Sequence, residues 1–326
     1  MKPTHRPWFG VAATFFAVIT YFGAAPAAAA YPDKPVRWVI PFPPGGSNDI
    51  LGRFLGTRLS ERIGQQVVID NRGGANGIIG AEMVANAPAD GYTILMISTS
   101  YVMNAAVRKL PYDVEKSFDP ITTVGTSPNA IVVYPGGGFN TLHDLVDKAK
   151  ATPGKINYAS TGVGGANHFA GELFSKAAGI KMTMVPYKGG GPAMIDVMAG
   201  QMPVMFTSIT QVLPHVRSAK IKMLAVGAKE RSPAVPDVPT GAEAGFPGYD
   251  VDVWWGISGP KGMPRTAFDR LPKEFTAILR DPETEKLLAR DAAQVKIIAP
   301  AEFRKHIHDE VIKWTRDAKE ANIKVQ

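Results

Sequence analysis

The chain has 326 residues, no Cys and a formal charge of +7, with basic and acidic residues interspersed rather than massed. That excludes thiolate catalysis, Cys-ligated zinc and a disulfide framework. It also offers no basic stripe for nucleic acid, so mild attraction to anionic solutes is all the charge implies, while the length allows a large core and two domains.

Residues 1–30 open with Met1-Lys2-Pro3-Thr4-His5-Arg6, run apolar from Trp8 to Phe22 and end in Ala27-Ala28-Ala29-Ala30. A basic start, an apolar run shorter than the ~20 residues of a spanning helix and a small-residue exit read as a cleavable secretory leader. The mature chain is expected from Tyr31, with no later stretch long and apolar enough to span a membrane.

Val36 to Phe42 reads as a buried strand, broken by Pro43-Pro44-Gly45-Gly46-Ser47 before a helix over Asn48 to Ile63, where Leu51, Phe54, Leu55, Leu59 and Ile63 recur at helical spacing. The first N–H groups of such a helix lack intrahelical acceptors and carry the positive end of its dipole, so an anion can dock there without Lys or Arg. Val67 to Asp70 is a second strand, and Asn71-Arg72-Gly73-Gly74-Ala75-Asn76-Gly77 repeats the design before another helix. Tyr92 to Ile97 is a third strand ending in a small polar rim, Ser98-Thr99-Ser100. Strands alternating with helices at this spacing indicate parallel β-α-β units.

After a Pro-rich passage from Pro111 to Pro128, Ala130 to Tyr134 reads as a strand leading to a helix with Thr141 as its N-cap, and Ser232 to Pro247 reads as an irregular connection. Two more glycine loops follow: Gly162-Val163-Gly164-Gly165 after the strand Ile156 to Thr161, and Gly189-Gly190-Gly191-Pro192 after Met184 to Lys188. Val204 to Ser208 and Met223 to Val226 supply further strands. Val253-Trp254-Trp255-Gly256-Ile257 is a strand whose adjacent indoles point to opposite faces, one expected in the core and one at a cleft or surface. Helices are expected over Thr266 to Leu279, Pro282 to Arg290 and Pro300 to Ala321. The last carries the apolar stripe Phe303, Ile307, Val311, Trp314 and Ala318, which should pack back on the first half.

Glycine-lined helix starts from two halves describe a clamp for a small anion, and a carboxylate suits it better than phosphate because no P-loop Lys follows any loop. Asp70 stands where a dinucleotide fold keeps its ribose acid, but the first loop is not G-x-G-x-x-G. His306 and His308 diverge on one helix; His168 at a helix start reads as a packing or capping residue; Ser258-Gly259-Pro260-Lys261 cannot form the helical turn of S-x-x-K. No cofactor or metal is expected.

The ordered set P-F-P-P-G-G-S-N-D, V-V-I-D-N-R-G-G-A-N-G, A-D-G-Y-T, Y-A-S-T-G-V-G-G-A-N-H, V-P-Y-K-G-G-G-P-A, A-V-P-D-V-P-T-G-A-E-A-G and W-W-G-I-S-G-P resembles, over nearly the whole mature chain, the Bug family of extracytoplasmic solute receptors. The resemblance implies an α/β, two-lobed periplasmic binding protein of type II, each lobe a mostly parallel sheet flanked by helices. One lobe would comprise 31–130 and 256–326, the other 131–255. It implies a monomeric, non-catalytic, periplasmic receptor for a small mono- or dicarboxylate, aliphatic or aromatic, serving the large and small membrane subunits of a tripartite tricarboxylate transporter. A sensor presenting its ligand to a membrane histidine kinase, or an α/β enzyme acting on a carboxylate, are the alternatives.

Carried over by position, the ligand residues would be Phe42, Gly45, Gly46, Ser47, Asn48, Asp49, Asn76 and Ser98 from the first lobe. The second lobe would supply Ser160, Thr161, Gly164, Asn167, His168, Tyr187 and Lys188. The family often has Thr where this chain has Asn48 and an acid where it has Thr207-Ser208, which makes an amino group on the solute less secure than a carboxylate. A bulky residue at Gly46 or Gly164 is expected to abolish binding and spare the fold.

Overall fold

The strand Val36–Ile40 (β1) ends at Pro41, and the chain turns through Pro43 and Pro44 into the helix Ser47–Ile63 (α1). The computed structural model describes residues 31–323, with Met1, Pro3 and Thr4 besides, so the leader expectation lies almost wholly outside the described residues. Gly64, in the left-handed conformation, closes α1 and leads to Val67–Asn71 (β2), parallel to β1. A short 3-10 turn and Ile78–Ala85 (α2) return the chain to Thr93–Ser98 (β3), on the other side of β1.

The same plan recurs later. Asn157–Ser160 (β5) lies between parallel Thr183–Pro186 (β6) and Val204–Ser208 (β7), with Ala166–Ala178 (α5) and Gly190–Met198 (α6) as crossovers. Each set therefore places its first strand in the middle, the arrangement that opens a crevice at the carboxyl ends of the strands.

Two antiparallel strands join the sets: Phe118–Val133 (β4) and Asp252–Pro260 (β9). The sheet order is β2-β1-β3-β9-β4-β7-β5-β6, with Lys222–Gly227 (β8) and Gln294–Val295 (β10) also paired to β4. β4 pairs β9 as far as Pro128 and β7 and β8 from Asn129 onward, so one strand passes from one set to the other. The Pro-rich passage thus contains the first part of β4, from Phe118 on. Pro120 falls beside a register shift and Pro128 at the handover, places where a residue without an N–H costs little.

Two helices escape the sequence reading: Thr99–Val107 (α3) and Ile209–Arg217 (α7), each starting where a strand stops. Every residue from Thr99 to Asn104 is buried, so the polar face that would mark a helical period is missing. Leu142–Ala151 (α4) has the capping box expected at Thr141, closed by Asp144. Arg265–Leu279 (α8), Pro282–Arg290 (α9) and Pro300–Glu320 (α10) complete the chain. The stripe of α10 buries Phe303, Ile307, Trp314 and Ala318 against α3 and β4, and Trp314 also meets Phe169 edge to face at 5.6 Å.

Candidate functional site

A cavity of about 30 Å³ lies where the two strand sets meet, lined by Phe42, Gly46, Ser47, Asn48, Ser98 and Ser100 from the first part of the chain. Thr161, Ala166, Asn167, Gly190, Thr207, Ser208, Gln211 and Val253 complete it. These residues are the starts of five helices, α1, α3, α5, α6 and α7, whose N-cap positions are Gly46, Ser98, Gly165, Gly189 and Ser208. In none of the five does the N-cap residue's own side chain cap the helix. The helices that do carry such caps are α4 and α9, and neither lines the cavity.

Each helix start contributes about half a positive charge, so the five together outweigh the single charge of a carboxylate. Among the described residues the main-chain N–H groups of Ser47, Asn48 and Asn167 have no acceptor. No Lys, Arg, Asp or Glu lines the cavity. The site is therefore electropositive through the backbone alone, which suits an anion and leaves no charged side chain to act as base or nucleophile.

The structure sorts the expected site residues into two groups. Phe42, Gly46, Ser47, Asn48, Ser98, Thr161 and Asn167 line the cavity. The others lie behind the lining or away from it. The carboxylate of Asp49 accepts from the Gly45 N–H (3.0 Å), from Arg53 (2.9 Å) and from Asn71 (2.9 Å). Burial alone would raise its pKa, but these hydrogen bonds outweigh burial and hold it below the usual carboxylate range.

Asn76 exchanges hydrogen bonds with Asn104, both at 3.0 Å, and its Oδ1 accepts from the Thr161 hydroxyl at 3.4 Å. Ser160 Oγ turns to Gly162. The Gly164 N–H donates to His168 Nδ1 at 3.1 Å, which leaves the ring proton on Nε2, 4.0 Å from Glu172. Burial pulls the pKa of His168 down against the pull of Glu172, so the ring is a neutral cap. Tyr187 donates to Asp196 at 2.7 Å and Lys188 is exposed. Ser100, Ala166, Gly190, Gln211 and Val253 line the cavity without having been expected there, and Thr207 and Ser208, where the family often has an acid, line it too. The signal for several was the small polar rim that ends β3 and β7.

The two parts of the chain touch across the cavity. Ala166 N–H donates to Ser100 Oγ at 3.1 Å, and Arg108 donates to the Val163 carbonyl. A Cβ on Gly191 would sit 2.3 Å from the Pro44 carbonyl oxygen, and one on Gly165 2.4 Å from Asn76 Oδ1. Only hydrogen fits at either place. Gly46 is looser, since a Cβ there would clear Gly190 N by 3.9 Å.

A larger cavity, about 210 Å³, lies between β9, the segment after β10 and α10. It is lined by Asp250, Asp252, Glu310, Lys296, Lys313, His306 and the two tryptophans Trp254 and Trp314, without a helix start, and three carboxylates make it a poor anion site. Both adjacent indoles of β9 are buried, Trp254 donating to Glu310 at 2.9 Å, so neither reaches the smaller cavity and Val253 does. Asp70, the residue a dinucleotide fold would use, is held by Arg37 and Arg72.

Residues 51–323 match the family model "Tripartite tricarboxylate transporter family receptor". The chain is 34% identical to Protein BugT of Bordetella pertussis over 307 residues, 93% of this chain and 94% of BugT. The periplasmic binding protein BugD superposes with a TM-score of 0.86 at 34% identity, covering 91% of this chain and all of BugD. Rpa4515 of R. palustris with adipate gives 0.87 at 32% identity (90% and 99% covered), and MatC of Rhodopseudomonas palustris with bound malate 0.84 at 28% (88% and 99%). The likeness confirms the α/β periplasmic binding protein fold. No helix among the described residues is long and apolar enough to cross a membrane. Helix starts that leave their N–H groups open to an anion stand at the cavity of a transport receptor: the chain is a member of the tripartite tricarboxylate transporter receptor family, which includes the Bug proteins.

Proposed function

We propose that the chain is a periplasmic receptor that closes two lobes on a small carboxylate and hands it to the large and small membrane subunits of a tripartite transporter. The observation that carries this reading is the meeting, at one cavity, of five helix starts uncapped by their own N-cap side chains. Relatives with adipate and malate bound support a carboxylate as ligand. Residues 31–130 with 256–326 form one lobe and 131–255 the other, with β4 and β9 as the crossings. A leader of 30 residues directs the chain to the periplasm, where it works as a monomer. Ligand binding selects the closed form because the donors that grip the anion come from both lobes.

The test is a thermal-shift panel on refolded protein from Tyr31 onward, pairing each carboxylate with its primary amide. An acid at a hundred times its Kd should raise the melting temperature by roughly 4 °C, and its amide should not. A panel in which no acid shifts the transition, or in which amides shift it equally, contradicts the reading.

A further inference from the structure

A cavity built for a bare carboxylate needs donors only. This one also presents acceptors. Asn48, Asn167 and Ser208 are 8%, 6% and 2% exposed, and all three line it. Asn48 Oδ1, Asn167 Nδ2 and Ser208 Oγ are buried without a partner. Neither end of either amide has a partner among the described residues, so turning an amide over leaves an unpaired acceptor in place.

Thr207 and Gln211 are different. Gln211 accepts from the Thr207 hydroxyl at 2.9 Å and donates to the Gly190 carbonyl at 2.8 Å, so that pair is internally satisfied. Among the lining residues the fully buried unpaired atoms thus belong to one residue from the start of α1, one from α5 and the N-cap of α7. Buried polar atoms left unpaired are costly, and a ligand that pairs them gains that cost back as affinity.

Resting on the carboxylate reading above, we propose that the ligand is a short hydroxycarboxylate, whose hydroxyl donates to Asn48, Asn167 or Ser208 while its carboxylate lies on the helix starts. An ammonium is the other possible donor, and the site opposes it. The one acid nearby, Asp49, is spent on Gly45, Arg53 and Asn71, and five helix starts repel a cation. An aromatic acid does not suit a cavity of about 30 Å³ whose apolar lining is Phe42, Ala166 and Val253.

The experiment is titration calorimetry on refolded protein from Tyr31, with glycolate against acetate, lactate against propionate, malate against succinate, and glycine as the ammonium counterpart of glycolate. In at least one pair the hydroxy acid should bind at least about tenfold tighter, as expected where its absence strands a buried polar group, and glycine should bind more weakly than glycolate. Ser208→Ala and Asn48→Leu should each shrink that ratio. Ser208→Ala removes a single oxygen and keeps the test open if the Asn48 variant does not fold. Equal or tighter binding of the unsubstituted acids overturns the inference and leaves the carboxylate reading standing. Tighter binding of glycine overturns the hydroxyl, and an undiminished ratio in Ser208→Ala and the folded Asn48 variant overturns the assignment to these atoms. Failure of every carboxylate to bind removes the carboxylate reading itself.

Discussion

Gly191 sits outside the cavity and yet should decide whether it can close. Its hydrogen faces the Pro44 carbonyl oxygen so nearly that a methyl group would lie 2.3 Å from it. Gly191→Ala is expected to weaken carboxylate binding by at least tenfold, about 1.4 kcal/mol, with little change in melting temperature, because the clash exists only when the loops meet. Calorimetry beside a thermal melt checks both halves. At Gly46, which lines the cavity and has room for a methyl group, only a bulkier residue is expected to block binding.

His168 gives a prediction in pH. Burial favours its neutral form, so its native pKa lies below the ordinary 6.5, and protonation would also remove the acceptor that Gly164 N–H uses. An unfolded chain then binds more protons than the folded one once the pH falls through about 6.5, and stability drops until the depressed native pKa is passed. His168→Gln should flatten that part of the stability profile between pH 7 and 5. An unchanged slope would show that His168 does not couple to folding.

The helix start is the element on which the site is built, and its open N-cap can be closed by mutation. Ser208→Asp supplies an N-cap carboxylate to α7 inside the cavity. It should abolish carboxylate binding while holding or raising stability by up to about 1 kcal/mol, measured by calorimetry and denaturant melts. Retained binding would argue that α7 contributes no charge to the ligand.

How far the site is legible in sequence follows from the same elements. The loops at Pro43–Asn48 and Gly162–Asn167 can be read because Pro and Gly punctuate them before a periodic helix. α3 cannot, because burial of Thr99 to Asn104 erases the period, and α7 is masked by Pro214 within it, so Ser100 and Gln211 go unread as site residues. Asp49, Asn76 and His168 are adjacent in sequence to lining residues, but whether a side chain lines a cavity or props its wall depends on hydrogen bonds that close over 22 to 28 residues in the first two cases. Lys188 follows a strand end and simply faces water.

At the scale of the molecule, two parallel strand sets are joined by only two antiparallel strands, β4 and β9, with no other ladder crossing from one set to the other among the described residues. If the chain closes as proposed, these two strands are where it would hinge. Small-angle scattering should show a smaller radius of gyration with ligand than without, and equal radii would argue against hinged closure.

In the proposed function, backbone N–H groups at opposed helix starts hold the anion. A crystal structure of the protein with a carboxylate that stabilises it tests this most directly. The account predicts carboxylate oxygens within about 3 Å of main-chain nitrogens among Ser47, Asn48 and Asn167, between both lobes. A carboxylate found instead on Lys296 or Lys313 in the cavity beside Trp254, or on Lys188 at the surface, would contradict it.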